Sequence, residues 1–275
     1  MAKTIIAIIS DTHIGSTLAL CAPQFTVHTG RKEEVQQNQY NKCQQWLFEC
    51  WVDYWNYVRS LAGIVGNTRK NRLVIIHLGD VVDSKHHASP QIMDEVEDQI
   101  EAACNLFRPL AAMADGGMYL TFGTGAHNGG CAEYERVIGR ELGINYDWEY
   151  SLNIDGITLD LAHHGRAGRR DWTSSAAGLA VEVATDYTSE GMQPPRYILR
   201  GHNHHIDDSG IKVPYTRAIS LPSWQLRTSY GHQVAANRKR SDIGALIIDT
   251  SDPDNPNFSR MRYKAKGGSI HMVTV

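Results

Sequence analysis

The chain has 275 residues, 42% of them hydrophobic and 21% charged, with a formal net charge of −3. That length and apolar content suit one large domain, spanning 1–275, with a sizeable core; no low-complexity tract, repeat or Pro/Gly/Ser-rich linker divides it. The slightly acidic balance argues against an extended basic grip on nucleic acid, though not against a nucleic-acid substrate held locally.

The five cysteines, Cys21, Cys43, Cys50, Cys104 and Cys131, are odd in number and form no C-x-x-C pair. They read as reduced thiols of a cytoplasmic protein. Met1 to Ile9 is apolar but too short for a signal segment. No stretch approaches the roughly 18 apolar residues of a membrane span, so no membrane partner is expected.

In chain order, Ile5 to Ile9 is a continuous apolar run of strand length, closed by Ser10-Asp11-Thr12-His13. A strand apolar on both faces belongs inside a covered sheet. The segment from about 15 to 70 reads as a helical, aromatic-rich insertion. Its helix, Gln39 to Ala62, carries Trp46, Phe48, Trp51, Tyr54, Trp55 and Tyr57. Such a helix is more often core or an oligomer face than a stacking surface for bases. Leu73 to Leu78 repeats the strand pattern and ends at Gly79-Asp80, with Asp83 as a turn or supporting residue and His86-His87 as a loop beyond it. Ile92, Val96, Ile100, Ala103, Phe107 and Leu110 follow the 3,4 spacing of an amphipathic helix. Met118 to Phe122 is a third strand, ending in Gly123-Thr124-Gly125. Ile157 to Leu161 runs into Ala162-His163-His164-Gly165, and Tyr197 to Arg200 into Gly201-His202-Asn203-His204. Leu152–Ile154, Ala245–Ile248 and His271–Val275 add strands. The class is α/β, two packed mixed β-sheets flanked by helices.

Five strands thus end in turns that carry His or Asp, and in α/β sheets the carboxyl ends of strands are where ligands bind. Asp and His together suit divalent metal ions. Each piece alone has a structural explanation: Asp11-x-His13 could be a helix cap beside a surface histidine, and Gly79-Asp80 an ordinary turn. Gly201-His202-Asn203-His204 is more specific, because two histidines at i, i+2 after a buried strand have few structural uses. His77, inside a strand, reads as a satisfied core histidine. His163 should face away from His164 if the strand alternation continues, which leaves it outside the metal set.

The order D-x-H, G-D, a glycine-turn histidine, H-G and G-H-x-H resembles the calcineurin-like metallophosphoesterase superfamily over Asp11 to His204. The resemblance implies a four-layer αββα sandwich holding two divalent transition metals. Asp11, His13 and His204 would hold the first, His164 and His202 the second, with Asp80 bridging. His127 would contact the phosphate and protonate the leaving oxygen, while a hydroxide shared by the cations attacks phosphorus. Manganese is the leading candidate, with iron, zinc, nickel or cobalt as alternatives.

The third motif departs from the family pattern, in which an Asn before the histidine ligates the second metal. Here Ala126 stands there and cannot bind. Thr124 replaces the Asn across a two-residue insertion, or the second site lacks one ligand, with Asn128 a weaker candidate. The stretch Gly123 to Gly129 resembles a variant of phage and prophage metallophosphoesterases. Arg166, Arg169 and Arg170 follow the His164-Gly165 turn; Arg166 in particular could hold the non-reacting part of a substrate. Arg238-Lys239-Arg240 reads as surface. The expected activity is phosphodiester hydrolysis on a small molecule or nucleic acid, because no protein-phosphatase signature follows the third motif. The alternatives are a nuclease of the same superfamily and a non-catalytic scaffold keeping the fold.

Overall fold

A computed structural model describes residues 3–29, 32–37, 41–86, 89–164, 176–210, 215–229, 241–252 and 256–264. The first sheet is built on β1 (Thr4–Ile9), whose six residues are all buried. Parallel to it run β4 (Arg72–His77), β5 (Met118–Thr121) and β6 (Asn145–Asp147). On its other side, β12 (Ile243–Asp249) and β13 (Asn257–Tyr263) continue the sheet antiparallel, in the order β13-β12-β1-β4-β5-β6. The second sheet starts with a hairpin of β7 (Glu149–Ile154) and β8 (Ile157–Ala162). Parallel to β8 lies β9 (Tyr197–Arg200) and then β11 (Arg217–Ser220), with the short β10 (Asp207–Asp208) at the edge.

The two-residue period of β1 explains why it is apolar throughout. Ile5, Ala7 and Ile9 face a core shared with helices, while Ile6 and Ile8 face a second core that lies between the sheets with Leu159, Leu199 and Ile219. Three helices cover the outer face of the first sheet: α1 (Lys42–Ala62), α2 (Val96–Met113) and α3 (Glu133–Leu142). One helix, α4 (Ala176–Ser189), covers the second sheet, where Ala176, Leu179, Ala180 and Val183 meet Ile198 and Ala218. The layers are therefore helices, sheet, sheet, helix, the αββα arrangement anticipated.

The aromatic helix is core. Asn41 caps α1 by accepting the Gln44 amide at 2.9 Å, and Gly63 ends it with a left-handed φ of 63°. Between the caps, Leu47, Cys50, Trp51, Tyr54, Trp55 and Val58 are buried at 3,4 spacing against the first sheet. Trp51 meets Trp224 edge-on at 5.0 Å, so the stacking-surface alternative is excluded for these faces. The same stretch of chain also holds a hairpin, β2 (Gln24–Thr29) with β3 (Lys32–Gln37), where only helix was anticipated. Cys21, Cys50 and Cys104 are buried, Cys43 is half-buried and Cys131 exposed, and no disulfide joins them. Among the described residues, no helix is long and apolar enough to cross a membrane. His271–Val275 lies outside the described residues.

Candidate metal centre

Both sheets deliver side chains to one place. β1 and β4 end at Asp11, His13 and Asp80; β5 leads to Thr124 and His127; β8 and β9 end at His163, His164, His202 and His204. Backbone bonds stitch these turns together. The Asp11 amide donates to the Gly79 carbonyl at 3.1 Å, that of His13 to Asp80 at 3.1 Å, and that of Gly201 to His163 at 3.0 Å. The His202 amide donates to the Asp11 carboxylate at 3.1 and 3.2 Å.

The local conformation is costly. Asp11, His13, Asp80, His202 and His204 all take positive φ, between 44° and 70°. Non-glycine residues hold that conformation only where the surroundings enforce it, and such strain concentrates at functional sites. Glycines make the close approach feasible. A Cβ on Gly123 would collide with the Asp80 carboxylate, and one on Gly201 with Ser10 Oγ and, at 2.9 Å, with Asp11 Oδ2.

The donors form two clusters. In the first, His13 Nε2 lies 3.1 Å from His204 Nε2 and 3.8 Å from Asp11 Oδ1, and His204 Nε2 lies 3.2 Å from Asp11 Oδ1. In the second, Asp80 Oδ2 lies 3.0 Å from His163 Nε2. Thr124 Oγ1 sits 3.2 Å from Asp80 Oδ2, from His163 Nε2 and from His202 Nδ1. His164 joins His163 and His202, with donor atoms of the three within 4.8 Å of one another. Asp80 Oδ2 is also 3.9 Å from His13 Nε2, so the carboxylate stands between the clusters. These spacings fit cations: with metal–ligand bonds of about 2.0–2.2 Å, neighbouring donors around one ion lie roughly 3.0–3.4 Å apart.

The electrostatics favour positive charge. Burial opposes ionisation of Asp11 and Asp80. The His204 ring, helped by hydrogen bonds from His13 and His204, holds Asp11 well below the usual carboxylate range, and the His163 ring does the same for Asp80. Burial would lower His13, but bonds to Asp11 and Asp83 raise it to about 10. His163 is likewise held at about 9, the Asp80 charge outweighing burial.

Supporting groups surround the donors. Asp83 accepts from His13 Nδ1 at 3.1 Å, Gln91 Nε2 at 2.6 Å and Gln225 Nε2 at 3.0 Å, fixing the His13 tautomer with Nε2 towards the centre. His127 Nδ1 donates to the Asp83 carbonyl at 2.7 Å. Its ring stands edge-on to His13 at 4.5 Å and to His86 at 4.2 Å. Burial and the neighbouring His13 push His127 down to about 4.

Thr124 Oγ1 lies in the second cluster, whereas Ala126 is exposed. Asn128 is bonded within the turn, its amide donating to the Gly123 carbonyl at 2.7 Å and accepting from Gly130 N–H at 3.1 Å. His163 does not face away from the centre: β8 ends at Ala162, the chain bends, and strand alternation stops one residue too early. His77 is buried with Nε2 3.0 Å from Thr12 Oγ1, but its Nδ1 has no partner among the described residues, so it is half-satisfied rather than satisfied. His86 flanks the cleft. His87, Arg166, Arg169, Arg170 and Arg238-Lys239-Arg240 lie outside the described residues.

The chain resembles the calcineurin-like metallophosphoesterases in its motif order and in its two-sheet sandwich. No family model matches it, and no curated protein matches it. Solved structures are similar to it in fold. A novel archaeal phosphodiesterase is 11% identical over 94% of this chain and 99% of its own, with a TM-score of 0.43. Hypothetical protein PH1004 from Pyrococcus horikoshii OT3 is 7% identical over 96% and 90%, with a TM-score of 0.49. Wild-type Vps29 of Entamoeba histolytica complexed with Zn2+ is 9% identical over 94% and 98%, with a TM-score of 0.38.

Proposed function

We propose that this protein is a phosphoesterase dependent on two divalent metal ions, acting on phosphodiesters, with manganese as the leading metal. The observation that carries the reading is the pair of donor clusters on either side of Asp80, built from turns of both sheets. Asp11, His13 and His204 would hold one ion and His164 and His202 the other, with Asp80 between them. When bound, such ions clamp a phosphate, activate a water and neutralise charge on the leaving oxygen.

The remaining steps belong to the chain. Asp83 keeps His13 in a single tautomer. The Thr124 amide donates to Asp80 Oδ1 at 2.6 Å and so fixes the rotation of that carboxylate. His127, anchored through Nδ1 to the Asp83 carbonyl, is left with Nε2 for the substrate. A phosphate anion arriving beside it favours the protonated ring, which can then donate to the leaving alkoxide or aryloxide.

The test is hydrolysis of bis-aryl and mono-aryl phosphates with manganese by the wild type and by Asp80→Asn. Faster diester than monoester turnover, abolished by the substitution, is expected. Undiminished turnover in the variant would sink the mechanism. Metal-dependent degradation of oligonucleotides in preference to aryl diesters would favour the nuclease reading. Less than one equivalent of transition metal in the purified protein would favour a scaffold.

A further inference from the structure

A single residue, Trp148, stands between β6, which ends at Asp147, and β7, which starts at Glu149, and there the chain passes from the first sheet to the second. We propose that Trp148 is the stacking platform for a nucleobase, so that the phosphodiester hydrolysed at the metal centre is a nucleotidyl ester with one base held beside the cations. The inference names a substrate class for the reading above and rests on it.

Strand register puts the residue on the rim of the centre. Asp147 is paired with Thr121 at the end of β5, and the Phe122 amide donates to the Asp147 carbonyl at 2.9 Å. Glu149 is paired with Ala162 at the end of β8. Thr124 stands two residues beyond Phe122 and His164 two beyond Ala162, no more than about 7 Å of chain in each case. Trp148 is thus flanked by the two strand ends that carry the second cluster, where Thr124 Oγ1 lies 3.2 Å from His163 Nε2 and from His202 Nδ1. The span from a nucleotide's phosphorus to its base is of the same order.

The ring is held in place yet left uncovered. Among the described tryptophans, Trp51, Trp55 and Trp224 are buried, whereas Trp148 is 51% exposed. Phe122, itself buried, meets the Trp148 ring edge-on at 5.0 Å, and the Trp148 amide donates to the Asp147 carboxylate at 2.7 Å, so that ring and backbone are both fixed. The Arg136 guanidinium lies over the Phe122 ring, 4.7 Å from its centroid, and forms no ion pair among the described residues. A guanidinium stacked on an aromatic face keeps its N–H edges for a phosphate. An aromatic face for a base, with a cation beside it for the next phosphate, is how proteins hold single-stranded nucleotides without reading their sequence. One platform and one arginine suit a single nucleotide, and a net charge of −3 is in keeping with that local grip.

The experiment compares three diesters that share a p-nitrophenyl leaving group and differ in the other ester: methyl, 5′-thymidyl, and 5′-thymidyl with a 3′-phosphate. They are assayed with manganese on wild type, Trp148→Ala, Trp148→Phe and Arg136→Gln. The wild type should prefer thymidyl over methyl in kcat/KM, through a lower KM. Trp148→Ala should cut that preference roughly 10-fold, and Trp148→Phe should keep most of it. Arg136→Gln should cut the further gain from the 3′-phosphate by about 2- to 5-fold. A wild type without the preference, or a ratio that Trp148→Ala leaves unchanged, overturns the proposal, because a merely structural role would lower both esters alike. Turnover of none of the three by the wild type would instead overturn the metal-centre reading. Calorimetric binding of thymidine 5′-phosphate against methyl phosphate then decides the platform. Tighter binding of the nucleotide, lost in Trp148→Ala, supports it, and equal binding of the two overturns it.

Discussion

Asp83 acts on the site through other side chains. It is buried, its carboxyl held below the ordinary range by bonds from His13 and His86 against the cost of burial. Its oxygens take up hydrogen bonds from His13, Gln91 and Gln225. Removing the charge while keeping the shape, in Asp83→Asn, should weaken binding of the first cation by about 10- to 100-fold without unfolding the protein. Calorimetric titration checks it, and an unchanged affinity would show that His13 needs no such orientation. His127 makes a different prediction. A general acid matters most when the leaving group is basic, so His127→Ala should slow alkyl phosphodiesters by about 10²–10⁴-fold and nitrophenyl diesters far less. Equal losses on both would assign the ring to phosphate contact alone. Most members of the two clusters were legible in the sequence because each stands directly after an apolar strand. His163 was not, because the reading carried strand alternation past Ala162, where the chain had already turned.

At the level of elements, α3 brings a buried acid beneath the site. Glu135 lies in the first turn of the helix, wholly buried, with neither carboxylate oxygen hydrogen-bonded among the described residues. Burial, reinforced by the charge of Asp80, raises its pKa from 4.5 to about 8. The sign follows from proton counts: between those values the folded state holds a proton that the unfolded state has released. Stability should therefore fall as pH rises through this window, by up to about 1.4 kcal/mol per pH unit from this group. Thermal melts of metal-free protein at pH 5 and 8 should show Glu135→Gln gaining on wild type at the higher pH. A gap between the two proteins that is the same at both pH values would remove Glu135 from the account. The elements themselves were unequally legible. The apolar spacing of α1 and the continuous runs of β1 and β4 follow directly from packing on covered faces. The β2–β3 hairpin did not announce itself, since Lys32–Gln37 is mostly polar and lacks clean alternation.

On the scale of the molecule, the centre joins two sheets that elsewhere share an apolar core and polar contacts such as Arg260 to Asp208 at 2.9 Å and Thr250 to Asp155 at 2.7 Å. Asp11, His13 and Asp80 come from the first sheet, and His163, His164, His202 and His204 from the second, so each cation would cross-link the layers. The strained turns at five of these positions need something to hold them, and backbone bonds such as Asp11 to Gly79 do so within the first sheet. Across the sheets, the His202 amide on the Asp11 carboxylate does part of that work. Cations bound only by the folded state should supply the rest. A free metal concentration 100 times Kd stabilises by about 2.7 kcal/mol per site, which in a domain of this size raises Tm by roughly 5–8 °C. Chelation should therefore lower Tm by at least that amount, reversibly on adding metal back. Asp80→Asn, which removes charge from the carboxylate between the clusters, should show a much smaller response. A wild-type Tm indifferent to chelator and added metal would mean that cations neither hold the two sheets together nor maintain the strained turns.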